Sequence, residues 1–177
     1  MKNKAIFFDR DGIVNYRIVD IYIDSFKCFK FIPDFLYFFK EIKKSGWLSI
    51  LTTNQKGVGK GLMTIIQLEE VHKQMQNELK NKTGFCFDDI SYCIELPSSN
   101  SYRLKPNPGM VIEAIEKWDI EAASSWMIGD RASDVIAGKR GGLNTILIGN
   151  LKMSEIPEAD FVYKNLYDAY DKKFSKF

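Results

Sequence analysis

"KAIFFDRDGIVN", residues Lys4 to Asn15, decides how this chain is read. Ala5 to Phe8 run apolar without a polar break, as a strand buried on both faces requires. The run stops at two aspartates two residues apart, Asp9 and Asp11, and Gly12 follows at once. A residue without Cβ lets the backbone turn sharply after a strand and approach a ligand closely. Taken alone, an acidic pair on such a turn is equally a solvated loop, so the reading depends on what the rest of the chain supplies.

Further apolar runs follow in "WLSILTT", "DISYCIEL", "SWMIGD" and "NTILIG", with "DFVY" as a sixth strand. Between them lie helical patterns. Pro33 opens one with Phe35, Phe39 and Ile42 on a single face, stopped by Gly46. Thr64 and Gln67 form a capping box ahead of the stripe Leu68, Val71, Met75 and Leu79, which ends at Gly84. "PGMVIEAIEKW" is a third helix and a fourth surrounds Val135 and Ile136, while "NQKGVGKG" reads as a glycine-rich loop. Strands alternating with helices imply an α/β fold: an open, mainly parallel sheet with helices on both faces. One domain over residues 1–177 is expected.

A composition of 45 % hydrophobic and 27 % charged residues excludes a disordered chain. The net charge is +2 with basic and acidic residues interspersed, so no nucleic-acid footprint is expected. Cys28, Cys86 and Cys93 are odd in number and form no C-x-x-C pair, which argues against a disulfide framework and for a reducing cytoplasm. All three are expected as buried small apolar residues. Asp9, Arg10 and Asp11 cut the N-terminal apolar run at four residues, too short for secretion or for spanning a membrane. A monomer with no membrane partner is expected.

In a doubly wound sheet, ligands sit beyond the carboxyl ends of the strands. The first strand ends in Asp9-Arg10-Asp11-Gly12, the second in Thr52-Thr53-Asn54-Gln55 and the fourth in Gly129-Asp130-Arg131-Ala132-Ser133-Asp134, with Lys105 in "RLKPNPGM" before the third helix. Carboxylates, a hydroxyl and an ammonium would share one small volume. Such carboxylates repel one another unless a positive charge sits among them, and hard oxygen ligands suit Mg²⁺ together with a phosphate.

These four stretches, D-x-D-G, a threonine ending the second strand, a lysine, and G-D-x-x-x-D, resemble the motifs of the haloacid dehalogenase (HAD) superfamily of phosphatases, in the same order. "TNQKGVGKG" and "KPNPGM" narrow the resemblance to its small capless branch, which includes phosphatases of D-glycero-D-manno-heptose 1,7-bisphosphate and of histidinol phosphate. The resemblance covers about residues 4 to 164. It implies a Rossmann-like HAD fold without a cap domain. It also implies a Mg²⁺-dependent phosphomonoesterase working through an aspartyl-phosphate on a small phosphorylated metabolite, the heptose bisphosphate first and histidinol phosphate second. By the same resemblance Asp9 is the nucleophile and Asp11 the general acid and then base. The Asp9 side chain, the Asp11 carbonyl and the Asp130 side chain hold Mg²⁺. Thr53 and Lys105 bind the transferring phosphoryl group, and Asp134, Gly12 and Arg131 support this set from behind.

The relatives' zinc loop corresponds here to "YCIELPSSNSYRLKP", with one cysteine and no histidine, so no structural zinc is expected. Their arginine directly before the lysine is replaced by Leu104, with Arg103 one step earlier. Arg103, Asn54, Gln55, Lys56 and Lys60 are the candidate substrate contacts, the two lysines suiting a second anionic group. "KGVGKG" does not meet the P-loop spacing. His72, the sole histidine, is placed on the surface away from every motif. Phe26 to Phe39 are placed as core and rim packing, with Tyr22, Phe29 and Phe31 candidates for the pocket mouth. The competing class is a receiver-type phospho-acceptor domain, which also uses carboxylates, a Thr and a Lys, but needs an aspartate after the third strand, where this chain has "CIELPSS".

Overall fold

The structure is a computed structural model that describes residues 2–18, 21–150 and 153–175. Strands β1 (Ala5–Phe8), β2 (Leu48–Asn54), β3 (Asp89–Cys93), β4 (Trp126–Gly129), β5 (Asn144–Ile148) and β6 (Phe161–Tyr163) form one parallel sheet in the order β3-β2-β1-β4-β5-β6. The receiver alternative would require the flavodoxin-like order 2-1-3-4-5 instead.

β1 lies at the centre and all four of its residues are buried. Successive side chains of a strand point to opposite faces. Ile6 and Phe8 accordingly join the core that includes Phe35, Phe38, Phe39, Val71 and Met75, whereas Ala5 and Phe7 join the opposite core with Val111, Ala114 and Met127. Helices α1 (Pro33–Lys44), α3 (Ile65–Thr83) and α6 (Leu166–Ala169) cover the first face; α4 (Gly109–Lys117) and α5 (Ala132–Arg140) cover the second.

In α1 the buried residues Phe35, Phe38, Phe39 and Ile42 follow the 3-and-4 spacing of a single helical stripe. Phe8 meets Phe35 and Phe38 edge-on at centroid distances of 5.6 and 6.0 Å. Truncating such a fully buried phenylalanine to alanine costs about 3–5 kcal/mol, so Phe8→Ala would break this face. The Thr64–Gln67 capping box opens α3, and Gly84 closes it in the left-handed region.

Three local expectations need correction. The loop "NQKGVGKG" contains a helical turn, α2 (Lys56–Gly59). Cys28 is exposed and Cys86 half-buried, leaving Cys93 as the buried cysteine, because Cys28 sits on a surface 3₁₀ turn. Phe29 and Phe31 pack into the core rather than at a pocket mouth. Among the described residues, no helix is long and apolar enough to cross a membrane.

Because all strands run parallel, the carboxyl ends of β1, β2 and β4 share one edge. The chain steps from β1 to β2 on one side and reaches β4 on the other, so the crevice opens at the end of β1.

Candidate active site

Asp9 leaves β1 with its amide bonded to Ile128 O of β4 at 3.0 Å, which ties the two strand ends together. The loop then folds back on itself, with Val14 N donating to Arg10 O at 2.8 Å and Gly12 N to Asn15 O at 2.8 Å. Gly12 has φ +103°, and a Cβ there would lie 2.2 Å from Asp130 Oδ2. The glycine therefore serves the turn and also makes room for the carboxylate arriving from β4. Gly129 does the same for Asp134, whose Cβ would stand 2.2 Å from an added methyl.

Lys105 is the hub. It is 4 % exposed, and its Nζ lies 2.9 Å from Asp9 Oδ1, 2.6 Å from Asp134 Oδ1 and 2.7 Å from Thr52 O. Asn54 holds the lysine backbone on both sides: Nδ2 donates to Lys105 O at 2.9 Å and Oδ1 accepts from Lys105 N at 3.1 Å. Asp134 is anchored in turn by the Arg131 amide at 3.1 Å. Burial alone would lower the lysine pKa, but Asp134 and Asp9 outweigh it and push it up to about 12. Burial, helped by Asp134 and opposed by Lys105, pushes Asp9 up to about 7.

Asp11 is surrounded differently. Its Oδ1 accepts from Arg10 Nε at 3.2 Å, Arg10 Nη2 at 3.0 Å and Asn15 Nδ2 at 2.9 Å; Oδ2 accepts from Arg10 Nη2 and Gln55 Nε2, both at 3.0 Å. Burial works to raise its pKa, yet the Arg10 charge and the bonds from Asn15 and Gln55 hold it below the ordinary carboxylate value. Gln55 also donates to Thr53 Oγ1 at 2.9 Å.

Arg17, which no sequence motif singles out, donates to the Asp11 carbonyl and to Asp130 Oδ1, and its Nη2 lies 4.0 Å from Asp9 Oδ2. The guanidinium therefore answers the same three groups that the motif resemblance assigns to a metal. Asp9, Asp130 and Asp134 offer oxygens within 4.8 Å of one another. Lys105 and Arg10 pair with Asp9, Asp134 and Asp11, whereas Asp130 is met by Arg17 and Arg131, so a divalent ion in the place of the Arg17 guanidinium would face the same oxygens. The donor set fits Mg²⁺: hard oxygens, with a positive group already drawn to the spot.

A cavity of about 680 Å³ opens over this cluster, lined among others by Arg17, Tyr22, Thr53, Lys56, Lys60 and Arg131. Its size suits a small ligand. Lys60 Nζ stands 5.6 Å from the Tyr22 ring centroid.

The chain is 32 % identical over 169 residues to a D-glycero-beta-D-manno-heptose-1,7-bisphosphate 7-phosphatase of Helicobacter pylori, covering 96 % of each chain. The family described as HAD-hydrolase-like matches residues 103–169. The chain belongs to the haloacid dehalogenase superfamily. It is one of that superfamily's phosphatases, as its relatives are. A D-glycero-alpha-D-manno-heptose-1,7-bisphosphate 7-phosphatase of Burkholderia mallei is 32 % identical over 84 % of this chain and 80 % of its own. The solved D,D-heptose 1.7-bisphosphate phosphatase from B. bronchiseptica, complexed with magnesium and phosphate, superposes with a TM-score of 0.89 at 26 % identity, covering 98 % and 99 % of the two chains.

In this HAD phosphatase the candidates Asp9, Asp11, Thr53, Lys105, Asp130 and Asp134 come together, with Lys56, Lys60 and Arg131 at the cavity wall. Arg103 does not join them. Its Nη2 donates to Ser91 Oγ at 2.9 Å and its Nε pairs with Glu113 at 3.1 Å, because the buried Leu104 turns the chain between it and the lysine. Asn54 and Gln55 reach the cavity wall, but their polar ends hold Lys105, Asp11 and Thr53. His72 is 5 % exposed, not on the surface, and its Nε2 lies 3.3 Å from Arg10 Nη1. The signal was in the spacing: His72 stands four residues after Leu68 and three before Met75, on the buried stripe. For Arg17 no local signal existed.

Proposed function

We propose that this phosphatase removes a phosphate, the 7-phosphate, from D-glycero-D-manno-heptose 1,7-bisphosphate, with Asp9 as nucleophile. The observation that carries the reading is the hold on Asp9: Lys105 binds its Oδ1, and Asp9 lines the cavity together with Thr53 and Lys105. A carboxylate oxygen of Asp9 forms a bond to phosphorus as the ester oxygen leaves, and Asp11, entering this step protonated although Arg10 favours its ionised form, gives that oxygen its proton. Asp11 then takes a proton from the water that cleaves the aspartyl-phosphate, restoring Asp9. Thr53 and Lys105 hold the phosphoryl oxygens throughout.

Asp9, the Asp11 carbonyl and Asp130 would hold Mg²⁺, with Asp134, Gly12 and Arg131 supporting them. Bound there, it supplies the positive charge that lets a carboxylate approach a dianionic phosphate. Lys56, Lys60 and Arg131 at the cavity wall suit the second phosphate of a bisphosphate, and the names of the relatives in Helicobacter pylori and Burkholderia mallei support the heptose and the 7-position.

The test is phosphate release with Mg²⁺ from both anomers of the heptose bisphosphate, from sugar monophosphates and from histidinol phosphate, each beside Asp9→Asn. The heptose bisphosphate is expected to give the highest kcat/KM and Asp9→Asn none. Equal turnover of histidinol phosphate would remove the substrate assignment, and activity surviving in Asp9→Asn would remove the nucleophile.

A further inference from the structure

Arg10 is among the largest fully buried side chains, 1 % exposed, and it sits between the two aspartates. A guanidinium carries five N–H donors and no acceptor. Nε and Nη2 are spent on the Asp11 carboxylate, and Nη1 faces His72 Nε2 at 3.3 Å. Since Arg10 can only donate, Nε2 must accept, which puts the imidazole proton on Nδ1. Nδ1 is buried and has no partner among the described residues. An apolar side chain on this stripe of α3 would avoid that unfavourable orphan, so packing alone does not account for a histidine here. What it adds is the acceptor for Nη1. Burial first and the Arg10 charge second push its pKa down to about 3, so the ring stays the neutral acceptor across ordinary pH.

We propose that His72 is a positioning residue: by accepting from Arg10 Nη1 it locks the guanidinium fork that holds both oxygens of Asp11 in place. This rests on the reading of Asp11 as proton donor to the leaving group. The chain of contact runs from α3 through Arg10 to the loop after β1, so an element remote from the pocket sets the angle of the acid. Without the lock the fork can rotate about its long side chain, and Asp11 keeps only Asn15 and Gln55.

Because His72 is the only histidine, its imidazole ¹⁵N signals are unambiguous in the native protein. A neutral Nδ1–H tautomer from pH 5 to 8 is expected, and an Nε2–H tautomer would overturn the inference. Kinetics supply the second arm. His72→Leu is expected to lower kcat/KM on the heptose bisphosphate roughly 10- to 100-fold, a part of the about 10²–10⁴-fold that general acid–base assistance supplies. On p-nitrophenyl phosphate, whose leaving group needs no proton, the loss in kcat/KM, which reports leaving-group release and not the later hydrolysis that Asp11 also assists, should stay under about threefold. His72→Gln, whose amide oxygen can accept from Nη1, should restore most of the rate, and it keeps the test open if the leucine variant does not fold. Equal losses of kcat/KM on both substrates, or a glutamine variant no better than leucine, would overturn the inference. Asp11→Asn separates the layers. If it too shows no leaving-group dependence, the reading of Asp11 falls; if it does and His72→Leu does not, only the role of His72 falls.

Discussion

Lys105→Met removes the single ammonium lying between two buried carboxylates, Asp9 and Asp134, while keeping most of the side-chain volume. Breaking a buried pair from one side costs about 3–5 kcal/mol, because the remaining charges stay desolvated without a partner. For a chain of this length that is a fall in Tm of roughly 6–20 °C. The pH dependence follows from the two groups. Lys105, raised to about 12, contributes stability that is fully present below its ordinary value of 10.5 and is lost as pH rises through 12, so its removal is felt throughout the neutral range. Asp9, raised from 3.8 to about 7, binds its proton more tightly folded than unfolded. Its charged form therefore opposes folding above pH 7, by an amount on the order of 4 kcal/mol that fades as pH falls from 7 towards 3.8. In Lys105→Met that opposition has lost its offset at high pH, whereas at pH 5.5 Asp9 is neutral and only Asp134 remains uncompensated. Urea unfolding followed by circular dichroism, in chelator at pH 8 and pH 5.5, reads both quantities. A deficit below about 1 kcal/mol at pH 8, or one that grows on acidification, would refute the reasoning from buried charge.

Gly12→Ala meets Asp130 Oδ2 at 2.2 Å in a backbone conformation that L residues rarely adopt, so thermal denaturation should show a loss of about 1–3 kcal/mol or more. A magnesium titration of the same variant should show weaker binding, and wild-type values in both would contradict the placement of Asp130. Chelation should abolish turnover, and readdition of Mg²⁺ at about 100 times its Kd should raise Tm by roughly 5–11 °C, the equivalent of 2.7 kcal/mol. Differential scanning fluorimetry checks this, and an unmoved Tm would speak against the carboxylate site. Arg17→Ala removes a tethered cation from the same three oxygens, so calorimetric titration should show Mg²⁺ binding up to about fivefold tighter, the worth of a part-exposed ion pair. Unchanged or weaker binding would mean that the guanidinium and the ion do not compete.

The chain's local code determined a great deal. The unbroken apolar run of β1, the stripe of α1, the capping box and closing glycine of α3, and the motif residues at the strand ends were legible because each depends on neighbours within a turn or two. So was the meeting of Asp9, Asp130 and Lys105, since parallel strands bring their carboxyl ends to one edge. What tertiary structure alone decided is how those residues are held. Arg17 reaches Asp130 across more than a hundred residues, His72 reaches Arg10 from a separate helix, and Arg103, two residues from a site lysine, turns away to Glu113. Gln55 and Asn54 look like substrate contacts in sequence, yet their amides are drawn inward to Asp11, Thr53 and the Lys105 backbone. The reason is physical. Periodicity and caps are written in short-range sterics and hydrogen bonds, while the partner of a long polar side chain is settled by which desolvated charge it can reach once the sheet has closed.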